Sequence, residues 1–331
     1  MCGISGILSL KKEREDLKKS IELMNSKLKH RGPDGKGVWQ NEKSYIGMGH
    51  TRLSIIDLDN RSSQPMSINN LVITFNGEIY NYDILKKSLK SFWNFRTESD
   101  TEVILALYKK HGHKCVEFLE GMFSFAIWDI EAETLFCARD RIGIKPFYYM
   151  VVDNKFYFAS EVKALLPFLG EIKEDMDGIG EYLIFQYPIT DSTMFKNVKQ
   201  LMPGNLLTIN NGRINISKYW DLDYSEKLTM DKEQCKIHLQ KLFKNSIEKH
   251  LKSDVPIGSY ISGGIDSGLV TIMANNKKKL HSTYHGRFTD YQGFDESKYA
   301  KIIEEQNELR LNIMDITAGD FTKYIKDVIY H

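Results

Sequence analysis

The chain has 331 residues, of which 42% are hydrophobic and 27% charged, so its composition is that of a globular protein and not of a disordered, collagen-like or membrane protein. Its 45 basic and 44 acidic residues leave a net charge of +1, without the basic face of a nucleic-acid-binding or membrane-binding protein, and favour a small-molecule substrate. The four cysteines form no Cys-x-x-Cys pair, which favours a reducing, cytoplasmic location over a disulfide framework or a zinc site.

The first 220 residues predict an antiparallel β structure with a few covering helices. Apolar residues spaced three and four apart predict one helix, on the face formed by Leu17, Ile21, Met24 and Leu28. Ser99, three residues before Glu102, resembles a capping box and predicts a second helix over 98–112. Asn211-Gly212 between two alternating runs predicts a hairpin. The apolar runs predict strands at 2–10, 52–58, 71–75 and three times within 123–160.

The pattern changes after a polar stretch at 219–233, which we interpret as a linker. Strands and helices then alternate, as in βα units around a parallel sheet. The predicted strands lie at 255–261, 280–286 and 309–316, and the helices at 231–251, from 266, at 294–307 and at the end of the chain. We therefore predict a first domain over 2–218, a linker over 219–233 and a second domain over 234–331.

Cys2 is a candidate nucleophile. The apolar run that contains it is too short to span a bilayer, lacks the basic start of a signal peptide and does not match a lipidation motif. If Met1 is removed, Cys2 carries both a thiol and a free α-amino group, whose ordinary pKa of about 8 lets it accept the thiol proton at neutral pH. Cys2 is then a nucleophile that supplies its own base.

Two further pairs of residues fit a pocket for glutamine. Asn76 and Gly77 can direct an amide N–H and a backbone N–H at the oxyanion that forms when a carbonyl is attacked, although Asn-Gly is also common in turns. Arg52 and Asp100 can bind the α-carboxylate and the α-amino group of an amino acid. With Glu78, these residues predict a glutamine site.

The motifs MCGI, HRGPD, RLSI, QPM, NGEIYN, SDTEVIL and RDRIGIKPFYY occur in this order and resemble those of class II, N-terminal nucleophile glutamine amidotransferases. The last motif favours the asparagine synthetase branch. The resemblance implies an α+β fold built as a four-layer αββα sandwich, and attack of Cys2 on the glutamine amide with release of ammonia. It implies that Asn76 and Gly77 hold the oxyanion. The glutamine-binding positions implied are Arg52, Leu53, Ser54, Ile55, Ile56, Asn76, Gly77, Glu78 and Asp100.

The sequence ISGGIDSG at 261–268 follows a predicted strand and opens a predicted helix. Its glycines allow backbone N–H groups to approach an anion, its serine hydroxyls can donate, and a helix N-terminus favours negative charge. No Gly-Lys-Ser or Gly-Lys-Thr occurs in the loop, which excludes a Walker A motif. The segment therefore predicts a phosphate site of another kind.

SGGIDS resembles the pyrophosphate loop of N-type ATP pyrophosphatases, the α/β parallel-sheet fold (adenine nucleotide alpha hydrolase-like) of the synthetase domain in asparagine synthetases. The resemblance implies that ATP adenylates a carboxylate, aspartate in this branch, and that Asp266 helps to hold Mg²⁺. The implied ATP-binding positions are Ile261, Ser262, Gly263, Gly264, Asp266, Ser267 and His285. His285 departs from the aliphatic residue that is usual at its position.

A synthetase domain of this family continues further and has a second loop like SGEGSDE and an aspartate pocket, so we expect this chain to hold a complete glutaminase half and only the first part of a synthetase half. The expected function is that of a glutamine-hydrolysing asparagine synthetase. SGGIDS argues against glucosamine-6-phosphate synthase and phosphoribosylpyrophosphate amidotransferase, and Cys2 argues against β-lactam synthetases. An acceptor other than aspartate, such as a sugar acid, and a non-catalytic glutamine-binding subunit remain open, as does assembly into a homodimer.

Overall fold

The computed structural model describes residues 1–290, 293 and 295–331. The contacts between residues divide the chain into two compact units, Met1–Tyr224 and Ser225–His331. The division falls within the polar stretch at 219–233, most of which is exposed and irregular up to the helix that begins at Lys232. Each unit is described by itself below.

Two six-stranded antiparallel sheets form the centre of the first unit. The first sheet has the order β10-β8-β9-β1-β3-β2, and the second β12-β11-β7-β6-β5-β4. The strands are β1 (Gly3–Ser9), β2 (Gly35–Gln40), β3 (Ile46–Arg52), β4 (Met66–Ile68), β5 (Leu71–Ile79), β6 (Gly121–Asp129), β7 (Thr134–Arg139), β8 (Tyr148–Val152), β9 (Lys155–Ala159), β10 (Lys199–Gln200), β11 (Asn205–Asn210) and β12 (Arg213–Lys218). β1 pairs with β3 on one side and with β9 on the other, so the strand that follows Cys2 is internal to its sheet.

Helices cover the outer face of each sheet. The helices of this unit are α1 (Lys18–Lys27), α2 (Tyr82–Leu89), α3 (Asp100–His111) and α4 (Met176–Phe185). α1 packs on the first sheet through the predicted apolar face, all four members of which are buried. α3 packs on the second sheet, and a third cluster that includes Ile4, Met48 and Trp128 fills the space between the sheets. The four-layer αββα sandwich is confirmed.

Several local predictions are confirmed in detail. Asn211 and Gly212 join β11 to β12 with positive φ angles of 49° and 73°, as a two-residue hairpin turn of type I′ requires. Ser99 caps α3 by accepting a hydrogen bond from the Thr101 N–H. The capping box itself is absent from this helix, because the Glu102 carboxylate accepts from other groups, among them the Thr97 N–H at 2.7 Å.

The strand predicted over 52–58 is wrong. β3 ends at Arg52, which is therefore the last residue of a strand and not the first, and residues 53–59 form a loop. The Arg52 guanidinium donates hydrogen bonds to the backbone carbonyls of Asp57 and Asp59, and these bonds fold the loop back on the strand that precedes it. Three apolar residues of the loop gave the misleading signal, since Leu53, Ile55 and Ile56 line a cavity and not a sheet.

The second unit is a three-stranded parallel sheet with helices, in the order β13-β14-β15. Its elements are α5 (Lys232–His250), β13 (Gly258–Tyr260), α6 (Ile265–Lys277), β14 (Ser282–Phe288), α7 (Ser297–Asn307), β15 (Leu311–Ile316) and α8 (Ala318–Tyr330). The predicted alternation and parallel pairing are confirmed. Phe294, where the sequence placed the start of α7, lies outside the described residues. No helix in the described part of either unit has the length and apolar character needed to cross a membrane.

Candidate active site

A cavity of about 230 Å³ opens in the first unit where β1, β3, β5 and α3 begin or end. Its walls contain most of the residues that the sequence assigned to glutamine, namely Cys2, Arg52, Leu53, Ile55, Ile56, Asn76, Gly77, Glu78 and Asp100. Ser54 is not among the lining residues, and its N–H donates to the Asp34 carboxylate at 2.8 Å. The fold thus brings together four stretches that are far apart in the sequence.

Cys2 lies half-buried at the start of β1. Its Sγ accepts a hydrogen bond from the Leu53 N–H at 3.4 Å and lies 3.6 Å from the Leu53 carbonyl oxygen. Burial raises the pKa of the Cys2 thiol, although the bond from Leu53 opposes the change. Burial also lowers the pKa of the terminal α-amino group, carried here by Met1, below its usual 8.0. The thiol is therefore protonated at neutral pH and needs a base, and the lowered pKa favours the neutral, basic form of the N-terminal amine.

Arg31 fixes the backbone of the candidate nucleophile. Its Nε donates to the Cys2 carbonyl oxygen at 2.8 Å, and its Nη1 forms an ion pair with Glu161 at 2.7 Å. The Arg31 side chain is only 7% exposed, so this pair is held away from solvent. Sequence reasoning used Arg31 only as part of the HRGPD motif, because nothing in the local pattern shows that it contacts the N-terminus.

Asn76 and Gly77 lie within β5 and not in a turn. The Asn76 side chain is 1% exposed, and neither its Nδ2 nor its Oδ1 has a hydrogen-bond partner among the described residues. Buried amides are normally satisfied, so this pair of atoms is suited to a ligand. A Cβ at position 77 would lie 2.1 Å from the Met122 carbonyl oxygen and 2.8 Å from the Phe123 Cα. Only glycine allows β6 to approach this closely.

Two carboxylates share the cavity wall. Asp100 is buried in the first turn of α3, where its Oδ2 accepts from the Ile79 N–H at 3.0 Å, and burial raises its pKa to about 6. Burial, and then the charge of Asp100, raises the pKa of Glu78 to about 7. A bound cation would favour the charged form of both groups, which suits the site to an amino acid's ammonium group.

Lys145 is a lining residue that sequence reasoning missed. It is 5% exposed, and burial lowers its pKa while the neighbouring Glu78 opposes the change. Lys145 belongs to the RDRIGIKPFYY motif, but only the fold places that segment beside Cys2. Arg52, by contrast, was predicted and is present, and its two bonds to the loop carbonyls leave further guanidinium N–H groups for a carboxylate.

In the second unit, residues 262–267 form a loop held by its own hydrogen bonds. The Ser262 and Ser267 hydroxyls lie 2.9 Å apart, the Ser267 Oγ accepts from the Ser262 N–H at 3.1 Å, and the Gly264 N–H donates to Ser262. Gly263 has φ +90°, a conformation that favours glycine. The end of this loop, residues 265–267, is also the first turn of α6, and Asp266 is exposed there.

Ile261 and His285 are buried beside this loop. The His285 Nδ1 donates to the Ile261 carbonyl oxygen at 2.8 Å, whereas its Nε2 is buried without a hydrogen-bond partner among the described residues. Within the described ranges of the chain, no three His, Cys, Asp or Glu side chains form a group that could hold a metal ion. Mg²⁺ bound with a nucleotide needs no such group, because phosphate oxygens and water supply most of its ligands and one carboxylate can suffice.

Comparison with protein families gives two matches. Residues 1–220 match the model described as a glutamine amidotransferase domain, and residues 238–331 match that of asparagine synthase.

Related proteins match most of the chain. Asparagine synthetase [glutamine-hydrolyzing] 1 of Bacillus subtilis is 37% identical, with 91% of this chain and 48% of that protein covered. Asparagine synthetase [glutamine-hydrolyzing] 3 of the same organism is 34% identical, with 93% and 51% covered. Amidase chry2 of Gibberella zeae is 33% identical, with 91% and 49% covered. The chain thus spans about half the length of these relatives.

Among solved structures, glutamine phosphoribosylpyrophosphate amidotransferase from B. subtilis, complexed with ADP and GMP, matches with a TM-score of 0.51 and 16% identity. The match covers 95% of this chain and 81% of that one. An allosteric regulatory enzyme of purine biosynthesis matches with a TM-score of 0.50 and 15% identity, over 95% and 80% of the two chains. At these identities the matches show a shared fold.

Proposed function

Because this chain belongs to the glutamine amidotransferase family, we propose that its first unit hydrolyses the side-chain amide of glutamine with Cys2 as the nucleophile. One observation carries the proposal. A half-buried thiol, a buried amide that no described residue contacts by a hydrogen bond, and two carboxylates of raised pKa line a single cavity. Thiol attack on an amide requires a nucleophile, oxyanion donors and a means of holding the substrate, and these groups supply each of them.

The proposed reaction has two steps. The Cys2 Sγ forms a bond to the amide carbon of glutamine while the thiol proton passes to the α-amino group of Cys2, exposed by removal of Met1. The negative charge on the carbonyl oxygen is held by the Asn76 Nδ2 and the Gly77 N–H. The carbon–nitrogen bond then breaks, the amine returns the proton and ammonia leaves. Water hydrolyses the resulting thioester to glutamate and regenerates the thiol.

Charge pairing selects the amino acid in this proposal. Arg52 binds the α-carboxylate through guanidinium N–H groups that its bonds to the loop leave over. Asp100 and Glu78 bind the α-ammonium group, whose charge lowers the pKa of both carboxyl groups and so keeps them ionised. Leu53, Ile55 and Ile56 form the remaining wall in this proposal, and the Ser54 N–H holds the loop between them by donating to Asp34.

For the second unit we propose an ATP site at the 262–267 loop, with ammonia attacking an adenylated aspartate to give asparagine, AMP and pyrophosphate. The match of residues 238–331 to asparagine synthase and the relatives' names support this assignment. Ser262, Gly263, Gly264 and Ser267 would hold phosphate oxygens, and Asp266 would join the ligands of Mg²⁺. Ile261 and His285 would line the adenosine pocket, where the His285 Nε2 has no protein partner among the described residues. The scattered, unbridged cysteines support a cytoplasmic location.

The test is glutamate release from glutamine by the purified chain and two cysteine variants. Cys2→Ala should release no glutamate above background, while Cys235→Ala, which changes an exposed cysteine of the second unit, should match the wild type. Intact mass should show that Met1 is absent from the active protein. Unchanged turnover in Cys2→Ala would contradict the assignment of Cys2 as the nucleophile. Full activity with Met1 retained would rule out the α-amino group of Cys2 as the base.

The synthetase proposal has a separate test. The chain is incubated with ATP, Mg²⁺, glutamine or ammonia, and one carboxylate acceptor at a time, and pyrophosphate is measured. ATP binding that Ser262→Ala and Ser267→Ala both weaken would support the site. Pyrophosphate release with a sugar acid and none with aspartate would contradict aspartate as the acceptor.

A further inference from the structure

Gln64 joins two elements of the cavity through its side-chain amide. The residue is 9% exposed and lies just before β4, where the pairing of β4 with β5 stops at Met66 and Ile73. Its Oε1 accepts a hydrogen bond from the Phe75 N–H at 2.7 Å, and its Nε2 donates to the Thr101 Oγ1 at 3.2 Å. The Gln64 side chain thus binds a backbone donor of β5 beyond the point where β4 pairs with that strand.

The chemistry of the two partners sets the orientation of this amide. A backbone N–H can only donate, so the Gln64 oxygen must face Phe75 and its nitrogen must face Thr101. A residue that accepts at one end and donates at the other is needed to make both bonds without adding charge. Methionine fills a similar volume and makes neither bond. Gln64 is therefore specified by hydrogen bonding as well as by space.

Each end of this bridge is next to a residue that the proposed glutaminase uses. Phe75 precedes Asn76, the candidate oxyanion donor, and Thr101 follows Asp100, the candidate ammonium-binding residue. On the other side of the same residue, the His50 Nε2 lies 3.1 Å from the Phe75 carbonyl oxygen. The Gln64 and His50 side chains therefore contact the N–H and the carbonyl oxygen of Phe75. Gln64 is also bonded to Thr101 in the first turn of α3.

We propose that Gln64 is a positioning residue, which sets the distance between the Asn76–Gly77 oxyanion donors and Asp100. The proposal rests on the glutaminase function proposed above. The substrate's amide and ammonium groups are parts of one molecule, so a shift of β5 relative to α3 separates the groups that must bind both at once. Misplacement of reacting groups by about 1 Å can lower a rate about 100-fold.

The decisive variants are Thr101→Val and Thr101→Ser. Valine has nearly the shape of threonine but removes the acceptor, whereas serine keeps the hydroxyl. We expect Thr101→Val to lower kcat/KM for glutamine about tenfold, and Thr101→Ser to stay within about twofold of the wild type, as the loss or retention of one buried hydrogen bond implies. Gln64→Met should lower it at least as much. The double variant Gln64→Met/Thr101→Val should have a kcat/KM no lower than that of Gln64→Met alone, because both changes remove the same hydrogen-bonded bridge.

Two labels distinguish positioning from a general loss of structure. Iodoacetamide alkylates the Cys2 thiol without using the oxyanion donors or Asp100, and its rate should be unchanged in Thr101→Val. The glutamine analogue 6-diazo-5-oxo-L-norleucine must occupy both ends of the site, and its inactivation rate should fall together with kcat/KM. Equal losses with both reagents would overturn the proposal, as would wild-type kcat/KM in Thr101→Val. If neither Thr101→Val nor Gln64→Met folds, the bridge is needed for stability, and the proposed positioning role is overturned.

The wild-type protein separates this inference from the function on which it rests. If the wild type neither releases glutamate nor reacts with the glutamine analogue at Cys2, the proposed glutaminase fails. If the wild type does both and the Thr101 and Gln64 variants match it, only the positioning role fails.

Discussion

The two units hold their candidate binding groups in different ways. In the first unit, Cys2, Arg52, Asn76 and Asp100 come from four separate parts of the chain and meet where the layers of the sandwich end. In the second unit, the loop 262–267 makes its hydrogen bonds within itself, and several of its residues are exposed. The geometry of the first site therefore depends on the packing of a whole domain, whereas the second depends on one short segment.

Packing shows the same contrast. The first unit has apolar clusters between its sheets and under the helices on each side. In the described part of the second unit, the buried cluster consists of Ile247, Ala274 and Leu280, while large apolar side chains such as Met314 and Phe321 are about 70% exposed. Substitutions in the apolar clusters of the first unit should thus change the chemistry of the first site. Substitutions in the small cluster of the second unit should have little influence on the conformation of the loop 262–267.

The largest effect is expected from Gly77→Ala. The added Cβ would lie 2.1 Å from the Met122 carbonyl oxygen, so β5 and β6 must separate at the oxyanion donors. We expect kcat for glutamine to fall about 100- to 1,000-fold, the range found when an oxyanion donor is lost, and the first unit to melt at a lower temperature.

Gly180→Ala is the matched control for that variant. Gly180 lies in α4, and a Cβ there meets no atom within 4 Å. Alanine should leave glutaminase activity unchanged and stabilise the helix by about 0.5 to 1 kcal/mol. Normal turnover in Gly77→Ala would show that β5 and β6 can move apart without damage to the site, which would contradict the dependence of this site on domain packing.

Glu78→Gln should have the next largest effect. Since the pKa of Glu78 is about 7 and that of Asp100 about 6, wild-type kcat/KM for glutamine should fall as the pH falls from 8 to 6 and the carboxylates take up protons. In Glu78→Gln the part of this fall that is due to Glu78 should disappear, leaving the parts due to Asp100 and the N-terminal amine, and kcat/KM at pH 8 should be about 10- to 100-fold lower because a charge-assisted contact is lost. A pH profile of kcat/KM measures both.

The same variant also separates stability from function. Burial raises the pKa of Glu78 above its usual 4.5, so the stability that this group contributes is present at low pH and is lost as the pH rises through about 7. Glu78→Gln should therefore raise the Tm by roughly 2 to 4 °C at pH 8 and leave it unchanged at pH 5. An equal rise at both values would contradict this cause.

A smaller and strictly local effect is expected from Ser267→Ala in the second unit. The change removes the acceptor of the Ser262 N–H and the contact with the Ser262 hydroxyl. Amide hydrogen exchange at 262–267 should become about fivefold faster, as expected for the loss of one hydrogen bond. Faster exchange at 71–79 in the first unit would show that the loop is not held by its own contacts alone.

The smallest effect should follow from cutting the chain between the units. Residues 225–231 are exposed and irregular and contain Lys227, so trypsin should cleave there first. Because every described residue that lines the cavity belongs to Met1–Tyr224, the cleaved protein should keep its glutaminase activity within about twofold. Loss of activity at the rate of this cleavage would show that the first site depends on the second unit.

The sequence predicts well those features that depend on neighbouring residues. The helical face of α1, the turn at Asn211-Gly212 and the βα alternation after residue 230 each follow from local spacing, and each is confirmed. The glutamine pocket could be predicted because its residues lie in motifs whose order is distinctive. The roles of its members stay predictions.

Features that depend on distant contacts could not be found in this way. The strand predicted over 52–58 is a loop because the Arg52 guanidinium binds carbonyls further along the chain, which the apolar pattern does not reveal. Arg31, Gln64 and Lys145 were each present in a quoted motif, yet their contacts cross the sheets or layers. Gly77 was interpreted as an oxyanion donor, whereas its need for glycine comes from the backbone of β6.

The internal position of β1 also sets the order of events as the protein is synthesised. β1 pairs with β3 through residues such as Met48 and with β9 through residues as distant as Ala159. The ribosome must therefore make about 160 residues before this first strand has both neighbours. Until β9 has been made, β1 lacks one of its two neighbouring strands, and the N-terminus is accessible to an aminopeptidase. The strand beside Cys2 therefore gains its second neighbour only after an interval in which the N-terminus can be processed.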